Sequence, residues 1–317
     1  MYIHVKKRNT PEGETRMLDT RFGVEIEMTG LSRREAAMVV KRMVNGEMEH
    51  AGGPYDEYTV TATDGRVWKI VRDASIRCQK KENGAFVIAN EYHSVEFVTP
   101  ILTYREDIDL LQEIVRALRK AGAITNSTCG IHIHLDGEGH NARTLRNFVN
   151  IIYARNDLFY KALGIEAARA RYCQKLDEEM VEKMNKGKPQ SLMEIEDIWY
   201  NGESMYGRQR HYNNTRYHFL NLHSFFHGHH TVELRGFNST LHAGEVRSYI
   251  VFALALNNQA LTQKAASTKK PQIENEKFAM RTYLNRIGLI GDEFKACREH
   301  LTKRLEGSSA WRHGRTA

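Results

Sequence analysis

The segments Phe22-Gly-Val-Glu-Ile-Glu27 and Cys129-Gly-Ile-His-Ile-His134 constrain this chain more than any other part of it. Each sets two metal-capable side chains at positions i and i+2, alternating with aliphatic residues. On a β-strand successive side chains point to opposite faces. Glu25 and Glu27 therefore share one face, as do His132 and His134, while Val24, Ile26, Ile131 and Ile133 turn towards a core. A sheet with carboxylates and imidazoles on one side and branched hydrocarbon on the other makes a floor for a metal ion.

Further polar clusters sit on or beside segments that read as strands: Asp73 with Ser75, Glu96, and Glu233 with Arg235. Carboxylates with an imidazole suit Mg²⁺ or Mn²⁺, which take oxygen donors, whereas zinc favours histidine and thiolate. Four glutamates converging on a dry pocket repel one another, so a cation there is close to an electrostatic requirement. An arginine beside the last glutamate suits an anionic ligand such as phosphate.

The rest of the chain supplies a frame. Ser32-Arg-Arg-Glu35 is a capping box that opens a helix with Ala36, Val39, Val40 and Met43 on one face, closed at Asn45-Gly46. Strands are expected over Met17–Met28, Tyr58–Ala62, Arg66–Val71, Tyr92–Val98, Ile124–Leu135, Tyr217–Leu222 and Thr231–Arg235. Helices are expected around Ile108–Leu118, through much of Asn141–Tyr200, over Glu245–Leu261, and twice after the polar stretch Gln263–Pro271, with a frayed tail from Gly307. Strands and helices mix without a regular βαβ rhythm, which predicts an α+β fold with a largely antiparallel sheet.

Composition narrows the class. The 317 residues are 41% hydrophobic and 27% charged, as in ordinary globular proteins, and no apolar run is long enough to span a bilayer. Met1-Tyr-Ile-His-Val-Lys-Lys-Arg8 lacks the apolar stretch of a signal peptide. Four scattered cysteines without a Cys-x-x-Cys pair exclude a zinc ribbon and suggest reduced thiols in a cytoplasmic protein. The net charge of +7 admits nucleotide phosphates or nucleic acid as partners, or else sits on solvated helix faces. Nucleic acid is the less favoured partner.

In order along the chain, Phe22-Gly-Val-Glu-Ile-Glu27, Trp68-Lys-Ile-Val-Arg-Asp-Ala-Ser-Ile76, Val95-Glu-Phe-Val-Thr-Pro100, Gly130-Ile-His-Ile-His134, Arg216-Tyr-x-x-Leu-Asn221 and Thr231-Val-Glu-Leu-Arg235 resemble the amidoligase family, relatives of glutamine synthetase and γ-glutamylcysteine synthetase. The resemblance spans about Arg21 to Ala260. It implies a curved, mainly antiparallel sheet of the glutamine synthetase catalytic-domain type, with flanking helices and ATP and Mg²⁺ (or Mn²⁺) on its concave face. It also implies an ATP-dependent ligase that joins a carboxylate substrate to an amine acceptor through an acyl phosphate. Either substrate is a small molecule, a peptide or a polymer. By resemblance, Glu27 and Glu96 hold a metal near the substrate carboxylate, and Glu25, His132 and Glu233 hold one beside the ATP phosphates. His134 touches phosphate or metal, Arg235 steadies the γ-phosphate or acyl phosphate, and Arg216 and Asn221 belong to the nucleotide side. Glu91 and Asp73 are candidate proton acceptors for the amine. The ligase domain is expected over residues 1–262, with a helical insertion over about 141–212 and a helical extension over 263–317.

Other features fit less tightly. His223, His227, His229 and His230 form a second histidine-rich patch on an expected loop. Tyr206-Gly-Arg-Gln-Arg-His-Tyr212 alternates basic and aromatic residues, as a loop over ATP phosphates or a grip on an acceptor would. The competing readings are a metal-dependent hydrolase or phosphoesterase using the same Glu/His cluster, and a noncatalytic binding module.

Overall fold

The computed structural model describes residues 17–165 and 167–311. The alternating segment Phe22–Met28 is strand β1 at the middle of an eight-stranded sheet. The other strands of that sheet are β2 (Glu47–Gly52), β3 (Glu57–Thr61), β4 (Val67–Val71), β7 (Val95–Val98), β8 (Gly130–Asp136), β9 (Leu220–Asn221) and β10 (Thr231–Asn238), and β5 (Gln79–Glu82) and β6 (Ala85–Ile88) form a separate hairpin. The order across the large sheet is β2-β3-β4-β7-β1-β8-β10-β9, and each neighbouring pair is antiparallel. The expected largely antiparallel sheet in a mixed helix-and-strand fold is present.

Register decides what stands beside what. Val71 pairs with Glu96 and Glu96 with Glu27. In the next row of the same face, Lys69 pairs with Val98, Val98 with Glu25, and Glu25 with His132. Beyond it, Gly23 pairs with His134, His134 with Glu233, and Glu233 with Asn221. The side-chain period of two thus gathers the acidic and imidazole groups of four strands on one face.

The other face is hydrocarbon. Val24, Ile26, Phe97, Ile131, Ile133 and Leu234 are buried there. Helices cover it: α1 (Arg33–Val44) lies over β3 and β4, and α3 (Ala142–Leu163) and α8 (Ala243–Thr262) lie over β8 and β10. Between α1 and α3 comes α2 (Tyr104–Ala121), which packs on α1 and α8. Ile250-Val-Phe-Ala-Leu-Ala-Leu256 in α8 is buried on all sides, as its unbroken apolar sequence requires. The helix that opens the block 141–212, α3, is part of this core, and so are the last two helices, α9 (Glu276–Arg286) and α10 (Lys295–Thr302), which pack around α8 and α3. Between them run the short helices α4 (Glu178–Gly187), α5 (Leu192–Trp199), α6 (Met205–Arg208) and α7 (His223–His227).

Caps follow the sequence signals. Ser32 and Glu35 form the capping box, and α1 stops where Asn45 turns left-handed at φ 51°. Several boundaries differ from expectation. Met17 and Leu18 form a buried helical turn ahead of β1. The histidine strand starts at Gly130 because the Asn126 amide oxygen accepts from the backbone and hydroxyl of Thr128 and turns the chain. Asp73 and Ser75 lie in a turn after β4, where the Asp73 carboxylate accepts from the Ser75 amide at 2.6 Å. The expected strand Tyr217–Leu222 shrinks to Leu220–Asn221, and Tyr92 sits in a 3₁₀ turn. Strands β2, β5 and β6 were not expected; β2 is largely exposed and carries no apolar alternation. Residues 1–16 and 312–317, including the segment that lacks a signal-like stretch and the end of the frayed tail, lie outside the described residues. Among the described residues no helix is long and apolar enough to cross a membrane.

Candidate active site

Three groups of ligand atoms stand together on the polar face, each within 4.8 Å: Glu27, Asp73 and Glu96; Glu25, Glu96 and His132; and Glu25, His134 and Glu233. Glu25 and Glu96 belong to two groups each, so the cluster is continuous from β7 to β10. Glu25, Glu27, Asp73, Glu96 and His132 line a cleft of about 560 Å³. A second cavity of about 790 Å³ opens on its other side, lined by Gly23, His134, Ile101 and His230, and the two meet at Glu25 and Lys69.

Hydrogen bonds hold most of these side chains in place. The Gly130 amide donates to Glu27 Oε2 at 2.6 Å. His132 Nδ1 lies 2.9 Å from Glu25 Oε2. His134 Nδ1 meets the Thr231 hydroxyl at 3.0 Å, and Thr231 is in turn 2.8 Å from the Ser224 hydroxyl. His134 Nε2 is buried and makes no hydrogen bond, although Glu25 Oε1 is 3.2 Å away. Asn221 donates to Glu233 Oε2 at 2.6 Å, while its amide oxygen accepts from the backbone of His223 at 2.8 Å. That second bond fixes the amide's orientation, so Asn221 holds Glu233 and does not face either cavity. Arg235 donates to the other Glu233 oxygen.

Charge divides the cluster. Burial alone would raise Glu25, but the two imidazoles hold it well below the usual carboxylate range. Burial acts the same way on Glu233, and Arg235 and the histidines outweigh it, leaving it at about 2. Burial would lower His134, yet Glu25 and Glu233 lift it to about 9. His132 is lowered by burial and by Arg235. This half balances its own charges. The other half does not: burial and the neighbouring Asp73 push Glu27 up to about 8, and burial with Glu25, Glu27 and Asp73 raises Glu96 well above its ordinary value. Crowding of this kind, two carboxyls raised beside a third, is what a bound cation would relieve.

The expected residues do not all serve alike. His134, rather than His132, shares a ligand group with Glu25 and Glu233; His132 groups with Glu25 and Glu96. Arg216 lines the cleft between the Tyr212 and Tyr217 rings, 5.4 and 5.8 Å from their centroids, with its Nε buried and without a partner. Asp73 and Ser75 line the cleft, whereas Glu91 pairs with Arg72 at 2.9 Å and its side chain is largely exposed. The tyrosine-rich segment brings His211 and Tyr212 to the cleft lining, where the Tyr212 and Tyr55 hydroxyls meet at 3.1 Å. The second histidine patch forms no ligand group among the described residues; His227 pairs with Glu196 and His223 with Tyr200. Arg169, buried against the cluster, was not singled out from the sequence. Its one trace there is indirect: Gly130, ahead of the histidines, has no room for a Cβ because Arg169 fills it.

Comparison with known families matches residues 18–257 to a family described as "Putative amidoligase enzyme". A comparison with curated proteins finds no match. The match covers well over half of the 317 residues and includes each strand that carries a ligand. The chain belongs to the amidoligase family.

Proposed function

We propose that this amidoligase is an ATP-dependent carboxylate–amine ligase with the glutamine synthetase-type site on its polar sheet face. The observation that carries the proposal is the continuous row of ligand groups from Glu27–Asp73–Glu96 to Glu25–His134–Glu233, with Arg235 against its end. The donor set is rich in carboxylate oxygen and fits Mg²⁺ or Mn²⁺. The upward shifts of Glu27 and Glu96, crowded together with Asp73, support the same reading. Glu25, Glu233 and His134 would hold an ion on the nucleotide side, and Glu27 and Glu96 one on the substrate side, with His132 between and Asp73 beside it. Bound there, the ions supply neutralisation of phosphate oxygens.

The chain's own residues do the rest. The second cavity, beside His134, suits the nucleoside, and the cleft suits the carboxylate and the amine. A carboxylate oxygen attacks the γ-phosphorus, the bond to the β-phosphate oxygen breaks, and ADP departs. Arg235 offers a fixed cation to the transferred phosphoryl group, and positioning accounts for much of the acceleration. The neutral amine then attacks the acyl carbon, phosphate leaves, and a carboxylate takes the proton. Asp73, in the cleft, is placed for this; Glu91 is not. The paired Tyr55 and Tyr212 line the cleft and would help keep out water, which would hydrolyse the acyl phosphate.

The test is ADP release over a matrix of carboxylates and amines with Mg²⁺. The proposal expects release that needs both substrates and is lost in Glu25→Gln. Tightly held zinc with no nucleotide affinity would support a hydrolase instead.

A further inference from the structure

Strand β10 carries one more residue than β8 between Leu234 and Phe237, so Arg235 and Gly236 together stand opposite His132. A bulge of this kind redirects side chains and leaves backbone groups outside the ladder. Here a carbonyl inside the bulge and the one just after it are bonded to one side chain: Arg169 donates from Nη2 to the Arg235 carbonyl at 3.1 Å and from Nη1 to the Phe237 carbonyl. Arg169 is only 2% exposed and is joined to no carboxylate by an ion pair among the described residues. Its guanidinium also lies where a Cβ on Gly130 would be, 2.1 Å from Nη2, and the Gly130 amide is the donor to Glu27. One buried fork thus touches the backbone of the phosphate-facing arginine and the backbone that anchors a carboxylate ligand.

We propose that Arg169 is a positioning residue of this site, whose planar fork holds the β10 bulge and thereby aims Arg235 at the transferred phosphoryl group. The assignment rests on the ligase reading above. Lysine cannot replace the fork, because a single ammonium does not span two carbonyls in one plane. The geometry also supplies a displacement that leaves the arginine in the chain: Gly130→Ala puts a methyl group into the guanidinium. Removing the arginine frees that space, so the two changes are not additive.

The experiment compares wild type, Arg169→Met, Arg169→Lys, Gly130→Ala and the double variant Arg169→Met/Gly130→Ala. Calorimetry with Mg²⁺ measures binding of a non-hydrolysable ATP analogue and of ADP, and urea unfolding checks the fold of each. Each single variant is expected to bind the analogue about tenfold more weakly while binding ADP as wild type does. The double variant is expected to match Arg169→Met. Equal losses for ADP and the analogue, full rescue by lysine, or additive losses in the double variant would overturn the assignment and leave the ligase reading intact. A wild-type protein that binds neither nucleotide would overturn the ligase reading and this assignment with it.

Discussion

At the scale of single residues, Glu25 is the hinge of the account, since it belongs to two ligand groups and borders both cavities. Glu25→Gln keeps its shape, removes a charge from both groups, and is expected to lower the rate of ADP release by about a hundredfold or more, through loss of electrostatic stabilisation. Asn221 acts one step away. Its amide is locked by the His223 backbone and donates to Glu233. Asn221→Ala leaves that carboxylate free to turn, and Mn²⁺ affinity measured by electron spin resonance is expected to fall by about 10–100-fold. Unchanged affinity would mean that Glu233 is held by Arg235 alone. That Glu25, Glu27, His132 and His134 share one face was legible in the sequence, because the strand period exposes them as pairs. Arg169 was not, because nothing in an arginine of the 3₁₀ helix Ala167–Tyr172 says which backbone it will reach. Both His132 and His134 reach Glu25 and lie 3.9 Å from Glu233, a sharing that the strand period alone does not specify.

At the scale of elements, two local arrangements make predictions independent of substrate. In the first, Tyr200 and His223 share a 2.6 Å hydrogen bond in a buried pocket between α5 and α7. Burial, with Arg216 and His227 nearby, lowers His223 to about 4. Between that value and the ordinary value near 6.5 the unfolded chain takes up a proton that the folded chain does not. Stability from this group is therefore complete above about pH 6.5 and is lost as pH falls towards about 4. His223→Gln keeps an acceptor for Tyr200 and does not titrate, so urea midpoints between pH 7 and 4.5 are expected to fall less than in wild type. An equal fall would sink the assignment. In the second, Gly236 in the bulge has the Phe219 ring 2.0 Å from where its Cβ would be. Gly236→Ala is expected to destabilise by about 1–3 kcal/mol in urea unfolding, as overpacking does. Elements with strong periodicity were readable beforehand, α1, α2 and the two ligand strands among them. The exposed β2 was not. The β5–β6 hairpin had its signal in Asn83-Gly84, both at positive φ, but its strands are too short and polar to stand out.

At the scale of the whole molecule, the sheet separates two jobs. One face is a hydrocarbon core shared with α1, α3 and α8, and the other concentrates four glutamates and Asp73. That face stores repulsion in the metal-free protein. Mg²⁺ or Mn²⁺ at a hundred times its dissociation constant is accordingly expected to stabilise the fold by about 2.7 kcal/mol per site, seen as a rise in melting temperature. Glu96→Gln is expected to raise the metal-free melting temperature and shrink the response to metal. A response that survives in full in Glu25→Gln and Glu96→Gln would place the ions elsewhere. The general architecture followed from the alternation of strand and helix signals, whereas the joint core of α3, α9 and α10 depends on contacts far apart in sequence. The central claim is that ATP activates a carboxylate above these residues. Once a substrate pair supports ADP release, the reaction run with ¹⁸O in the carboxylate decides it by mass spectrometry of the phosphate. An acyl phosphate route predicts one ¹⁸O atom in each phosphate released; unlabelled phosphate would contradict it.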